Sequence, residues 1–86
     1  MLMRYNDSMV AIECKLNRRV VDAKQIQLFA AAAKNAKTDR GIFVALGMFD
    51  DSAKSAAAQS EIPIELMDSD KLLDLIARIS HKSEVE

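Results

Sequence analysis

Two glycines, Gly41 and Gly47, are all that this 86-residue chain contains, and they stand too far apart for a loop that cradles phosphates on its backbone amides. Kinase, NTPase and dinucleotide-binding readings lose their basis with that absence. A single cysteine, Cys14, excludes an intramolecular disulfide and an all-cysteine zinc site within one chain, and it fits a reducing compartment. The lone histidine, His81, reads as a surface residue in a polar tail. No serine has it as a partner in a suggestive place, which removes a hydrolase triad. Tryptophan is missing, and Phe29, Phe43 and Phe49 fit core positions rather than a base-stacking platform. No apolar run approaches the ~18 residues of a membrane span. Arg4 and Asp7 follow the opening residues too closely for a secretory signal. The expected location is cytoplasmic, with no membrane partner.

What is present is ordinary for a globular domain: half the residues are hydrophobic and 29% charged. The length allows one small domain, read here as residues 1–79 followed by a polar tail, 80–86. A chain of this size buries roughly 60 to 68% of its unfolded surface, so oligomerisation would help it. Net charge is −1, but it is unevenly spread. Residues 1–43 hold eight Lys/Arg against four acids, and residues 44–86 hold four against nine. A positive half is what a polyanion-binding face requires; solvated charges segregated by chance give the same count.

The pattern of elements begins with a hairpin: Met1 to Tyr5, a polar turn at Asn6-Asp7-Ser8, then a strand from Met9 to Leu16. Ile26, Phe29, Ala30 and Ala33 recur at helical spacing within about Asp22 to Lys37. Ile42 to Leu46 is an apolar run of strand length bounded by the two glycines, which predicts a strand covered on both faces. Asp50-Asp51-Ser52 can cap an alanine-rich helix, Glu61 to Met67 is a short strand with Pro63 at its beginning or on an edge, and Asp68-Ser69-Asp70 can cap a last helix. That helix carries Leu72, Leu75, Ile76 and Ile79 on one face. The order β-β-α-β-α-β-α predicts an α/β sandwich around a central mixed sheet.

The strand Met9 to Leu16 contains the most informative triplet, Glu13-Cys14-Lys15. Alternation puts Val10, Ile12, Cys14 and Leu16 on one face and Ala11, Glu13 and Lys15 on the other. Cys14 is thereby expected in the core. A carboxylate and an ammonium stand side by side on a mostly buried surface, where charges are rarely kept unless paired, metal-bound or chemically active. A simple ion pair on a half-exposed strand, worth about 0 to 1 kcal/mol, is the plain alternative.

Taken together, the hairpin ending in Glu-x-Lys, the helix, Gly41-Ile-Phe-Val-Ala-Leu-Gly47, Met48-Phe-Asp-Asp-Ser-Ala-Lys-Ser-Ala-Ala57 and Ile62-Pro-Ile-Glu-Leu-Met-Asp-Ser-Asp-Lys-Leu-Leu73 resemble the Mrr-type restriction endonuclease domain, a branch of the PD-(D/E)xK nuclease superfamily. The resemblance covers about residues 9–77. It implies a restriction-endonuclease-like three-layer sandwich that hydrolyses DNA phosphodiester bonds with Mg2+. By the same resemblance Glu13 is a metal ligand, the Cys14 backbone carbonyl a second, and Lys15 the cation that orients the attacking water. Gln25 or Gln27 would add a polar contact. Arg18 and Arg19, where the strand exits, fit a grip on DNA phosphates and, equally, a solvated turn. The chain departs from the family in lacking the N-terminal helix and the upstream aspartate of active relatives; only Asp7 precedes Glu13. Three accounts stand: a fragment or shortened form that no longer cuts, a ligand lent by another copy in a homodimer, or Asp7 reaching the metal. The function is therefore a magnesium-dependent DNA endonuclease or, alternatively, an inactive nuclease-fold module that binds DNA or a protein partner, as a homodimer in either case.

Overall fold

Hydrophobic alternation and helical periodicity produce seven elements: β1 (Leu2–Tyr5), β2 (Ser8–Lys15), α1 (Ala23–Asn35), β3 (Arg40–Ala45), α2 (Asp51–Ala58), β4 (Ile64–Met67) and α3 (Ser69–Glu84). The computed structural model describes the backbone of residues 1–5 and 7–84, and the side chains up to Arg78 apart from Tyr5. The expectation for His81 lies outside the described side chains, and so does that for Asn6 in the hairpin turn. The order matches the expected one, and the sheet is mixed: β1 pairs antiparallel with β2, while β2, β3 and β4 run parallel in the order β1-β2-β3-β4.

Each helix start has a local cause. Asp22 caps α1, its carboxylate accepting the Gln25 N–H at 3.2 Å while the Gln25 side chain accepts the Asp22 N–H at 3.2 Å. Asp50 caps α2, its carboxylate accepting the Ser52 hydroxyl at 2.6 Å and the Ala53 N–H at 2.8 Å. These bonds, the hydroxyl first, hold the Asp50 carboxyl below its ordinary pKa. The turn before β2 puts Asp7 in the left-handed region at φ 66°, where aspartate is tolerated better than most residues. The last turn of α1 gives way to Lys37, also left-handed at φ 58°. The helix thus stops at Asn35, two residues before the expected Lys37.

The core lies on one side of the sheet. Val21, Ile26, Phe43, Ala45 and Ala53 are buried together, with Phe29, Phe49, Ile64 and Leu66 packed against them. Phe43 sits at the centre, meeting Phe29 and Phe49 edge to face at centroid separations of 5.4 and 5.9 Å. All three phenylalanines take their expected core positions. On β3 the burial alternates, with Gly41, Phe43 and Ala45 covered and Ile42 and Val44 only half-covered. The predicted two-sided cover of this strand is therefore incomplete. α3 meets the sheet from that second side, where Lys71 lies 3.9 Å from Glu65, whose register partner is Ile42. Its apolar stripe is shallowly seated: Leu72 is half-buried, but Leu75 and Ile76 remain 40% and 48% exposed, and the Ile79 side chain lies outside the described residues. Its backbone stays helical past Ser80 to Glu84, into the stretch read as a polar tail.

One further expectation is corrected on this side of β2. Cys14 is exposed instead of buried in the core, and Leu16 is 75% exposed. Val10 on the same face is fully buried. The reason is position along the strand, since the cover runs out toward the carboxyl end of β2.

Candidate active site

β2 brings Glu13 and Lys15 to the face shared with Ala11, Phe43 and Ala45, the face toward α1. Two residues of extended strand separate them by about 6.6 Å along the chain. Both side chains are half-buried and line a cleft of about 420 Å³ between the hairpin and α1, together with Gln25, Leu28 and Phe29. In register, Glu13 stands beside Phe43 and Lys15 beside Ala45. The floor of the cleft is therefore the hydrophobic core itself, and the two charges emerge at its edge.

The ion-pair alternative is not what forms. Among the described residues the ion pairs are Lys34–Glu61, Lys71–Glu65 and Arg78–Asp74. Glu13 and Lys15 take part in none of them, so a carboxylate and an ammonium are held side by side and uncommitted.

Backbone register supplies a third group. Met1 and Ile12 exchange hydrogen bonds, the terminal amine donating to the Ile12 carbonyl at 3.0 Å and the Ile12 N–H to the Met1 carbonyl at 2.7 Å. The Lys15 carbonyl turns the other way and accepts the Leu46 N–H beyond β3 at 3.1 Å. Alternate residues of a strand aim their amides at opposite neighbours. The Cys14 carbonyl therefore aims to the β1 side, past the point where β1 pairs with β2.

The other predicted residues are distributed unequally. Gln25 lines the cleft, but its side-chain oxygen is taken by the α1 cap, which leaves its amide N–H donors to offer. Gln27 lines a different depression, with Lys34 and Glu61. Arg18 and Arg19 are exposed just beyond the carboxyl end of β2. Asp7 sits in the hairpin turn, six residues from Glu13 along β2, roughly 20 Å on an extended strand. The structure does not bring those two carboxylates together. Continuing the register of β1 past Met1–Ile12 puts the next cross-strand position, the one ahead of Met1, opposite Glu13. Met1 and Leu2 also wall the cleft. Sequence reasoning missed them, because apolar hairpin residues look alike whether they cover a core or line a cleft.

With this geometry in place, comparison with known proteins becomes specific. A family model described as restriction endonuclease, the Mrr catalytic domain, matches residues 2–76. The chain belongs to the Mrr-type restriction endonuclease family. No match was found among curated proteins or among solved structures. The Mrr-type assignment agrees with the mixed sheet and its helices, and the matched span contains every residue of the cleft except Met1. Among the described residues no group of three or more His, Cys, Asp or Glu is assembled for a metal, and no helix is long and apolar enough to cross a membrane.

Proposed function

We propose that this Mrr-type domain hydrolyses DNA phosphodiester bonds with Mg2+ at the Glu13–Lys15 cleft. The observation that carries the proposal is an unpaired carboxylate and ammonium on one face of β2, lining one cleft, in a chain of nuclease ancestry. The donors suit a hard cation: the Glu13 carboxylate and the Cys14 carbonyl offer two oxygens, and Mg2+ takes its remaining ligands from water and substrate phosphate. When bound, such an ion would polarise the scissile phosphate and acidify a water molecule. Lys15 holds the attacking water by hydrogen bonding and balances charge that develops on the phosphoryl oxygens. Arg18 and Arg19 hold flanking phosphates. Asp7 is left out of the ligand set by its distance. The protein works in the cytoplasm and as a homodimer, in which a neighbouring copy can complete the ligand set.

Plasmid nicking in Mg2+ or Mn2+ tests this reading. Wild type should nick, and Glu13→Gln and Lys15→Ala should each lose about a hundredfold or more in rate. Equal rates for wild type and Lys15→Ala would remove Lys15 from the mechanism. A second reading, a module that binds DNA or a protein without cutting, is favoured by one observation: Glu13 is the sole carboxylate lining the cleft among the described residues. DNA binding without nicking in either metal, and no calorimetric heat with millimolar Mg2+, would establish that reading instead.

A further inference from the structure

The carboxyl ends of β2 and β3 carry two loops, 16–20 and 46–49, that are fused into one unit. The Leu46 N–H donates to the Lys15 carbonyl at 3.1 Å, the Val21 N–H to the Met48 carbonyl at 2.8 Å, and the Asp50 N–H to the Val21 carbonyl at 3.1 Å. A parallel bridge joins Val21 to Phe49. The Arg19 N–H bonds the Asn17 side-chain oxygen at 3.1 Å, which folds the first loop on itself. Gly47 is the seat on which that loop rests. A methyl group there would collide with the Arg19 carbonyl oxygen and stand 2.9 Å from that of Arg18. Below the unit, the Ser52 hydroxyl oxygen accepts the Ala23 N–H at 3.0 Å while donating to Asp50, tying the starts of α1 and α2 together.

What this rigid unit displays is unusual for a small domain. Leu16 and Met48 are 75% and 73% exposed, and Val20 and Leu46 are 57% and 40% exposed. Arg18 and Arg19 are exposed among them, and the two loops contain no acidic residue. Asp22 and Asp50, which follow the two loops in sequence, are occupied in capping α1 and α2, and Asp68 and Asp70 at the start of α3 share a depression with the 46–49 loop that includes neither arginine. Exposed apolar side chains next to two exposed arginines that make no ion pair among the described residues suit a surface that is anionic at its edges and apolar within. The minor groove of duplex DNA has that character: phosphates rim it, and its sugar walls and base steps accept Leu and Met.

We propose that these two loops form one preformed platform that docks the minor groove of a DNA duplex, with Arg18 and Arg19 on the rim phosphates and Leu16 and Met48 in the groove. Gly47 is its positioning residue. The proposal deepens the nuclease reading and rests on it for the choice of DNA, since the platform adjoins Lys15 and would hold the duplex across the Glu13–Lys15 cleft.

The test is fluorescence anisotropy with a labelled AT-rich duplex of about 20 base pairs in EDTA, repeated over a salt series. Each arginine that neutralises a phosphate contributes about 0.9 to the slope of log affinity against log salt. The Arg18→Ala/Arg19→Ala double variant should flatten that slope by about 1.8. Leu16→Ser/Met48→Ser should weaken binding about tenfold by losing apolar contact, with the slope unchanged. Netropsin, a minor-groove ligand, should displace the protein. Gly47→Ala should lose both affinity and slope. Because that variant strains the backbone, the surface variants decide the matter if its melting curve shows that it does not fold. No binding by wild type, an unchanged slope in the arginine variant, or indifference to netropsin would overturn the platform. Nicking assays on the same proteins separate the two ideas. Wild type that binds as expected but never nicks defeats the nuclease reading alone, and metal-dependent nicking with unaltered binding by the arginine variant defeats the platform alone.

Discussion

Alternation along β2 explains only part of how its residues are exposed. Cys14 shares a face with the fully buried Val10, yet its thiol is exposed because the cover over that face stops short of the strand's carboxyl end. Native protein should therefore react with a thiol reagent at one site per chain without denaturant. If the backbone carbonyl of Cys14 is the group that serves the metal, Cys14→Ser should nick like wild type, and a large loss of rate would mean that the sulfur itself matters. Asp50 supplies a pH dependence. Its carboxyl is held below the ordinary value of 3.8 by the Ser52 hydroxyl and then by the Ala53 N–H. A group whose folded pKa is depressed stabilises the fold above the unfolded value, and that contribution disappears as pH falls through the folded one. Denaturant titrations should find Asp50→Ala less stable than wild type at pH 7, with the gap closing below about pH 4. A gap that persists undiminished at pH 2.5 would contradict the assignment. That Glu13 and Lys15 share one face of β2 was legible from alternation, whereas the exposure of Cys14 was not, since burial depends on which other elements reach that end of the strand.

At the scale of elements, order and type follow from periodicity, and errors gather where packing decides. Gly41 looked like a boundary ahead of β3, but it lies within the strand. A methyl group there would stand 2.7 and 2.9 Å from the Phe29 ring and 3.0 Å from Ile64 Cδ1. The glycine is thus what lets α1 settle onto β3. Overpacking costs typically about 1 to 3 kcal/mol, against a gain of about 0.4 to 1 kcal/mol from a stiffer unfolded chain. Gly41→Ala should therefore lose stability in urea titrations, and an increase would show that Phe29 swings aside freely. The hairpin register yields a second expectation. The position ahead of Met1 lies opposite Glu13, so a chain extended there by one aspartate would set a second carboxylate beside the first. Calorimetry should find tighter Mg2+ binding in that extended chain than in the original. Unchanged affinity would mean that the register does not continue. No spacing rule predicts this, because a register is a property of two strands paired.

The molecule as a whole leaves large apolar side chains uncovered. Met3 on β1 and Leu73, Leu75 and Ile76 on α3 are each at least 40% exposed, and the half-covered Ile42 and Val44 lie on the same side of the sheet as the Glu65 that α3 contacts. Such a surface carries a cost in water that a second copy would remove. Sedimentation at micromolar concentration should find a dimer, and Leu73→Glu/Ile76→Glu should find a folded monomer, because neither side chain supports the core. A monomeric wild type would end the dimer proposal. The two species also decide where a missing metal ligand comes from. If a neighbouring copy lends it, nicking per chain should fall on dilution below the dimer's dissociation constant and vanish in the monomeric variant. If each cleft is self-sufficient, the monomeric variant should keep its rate, and Glu13 with the Cys14 carbonyl must then be ligands enough.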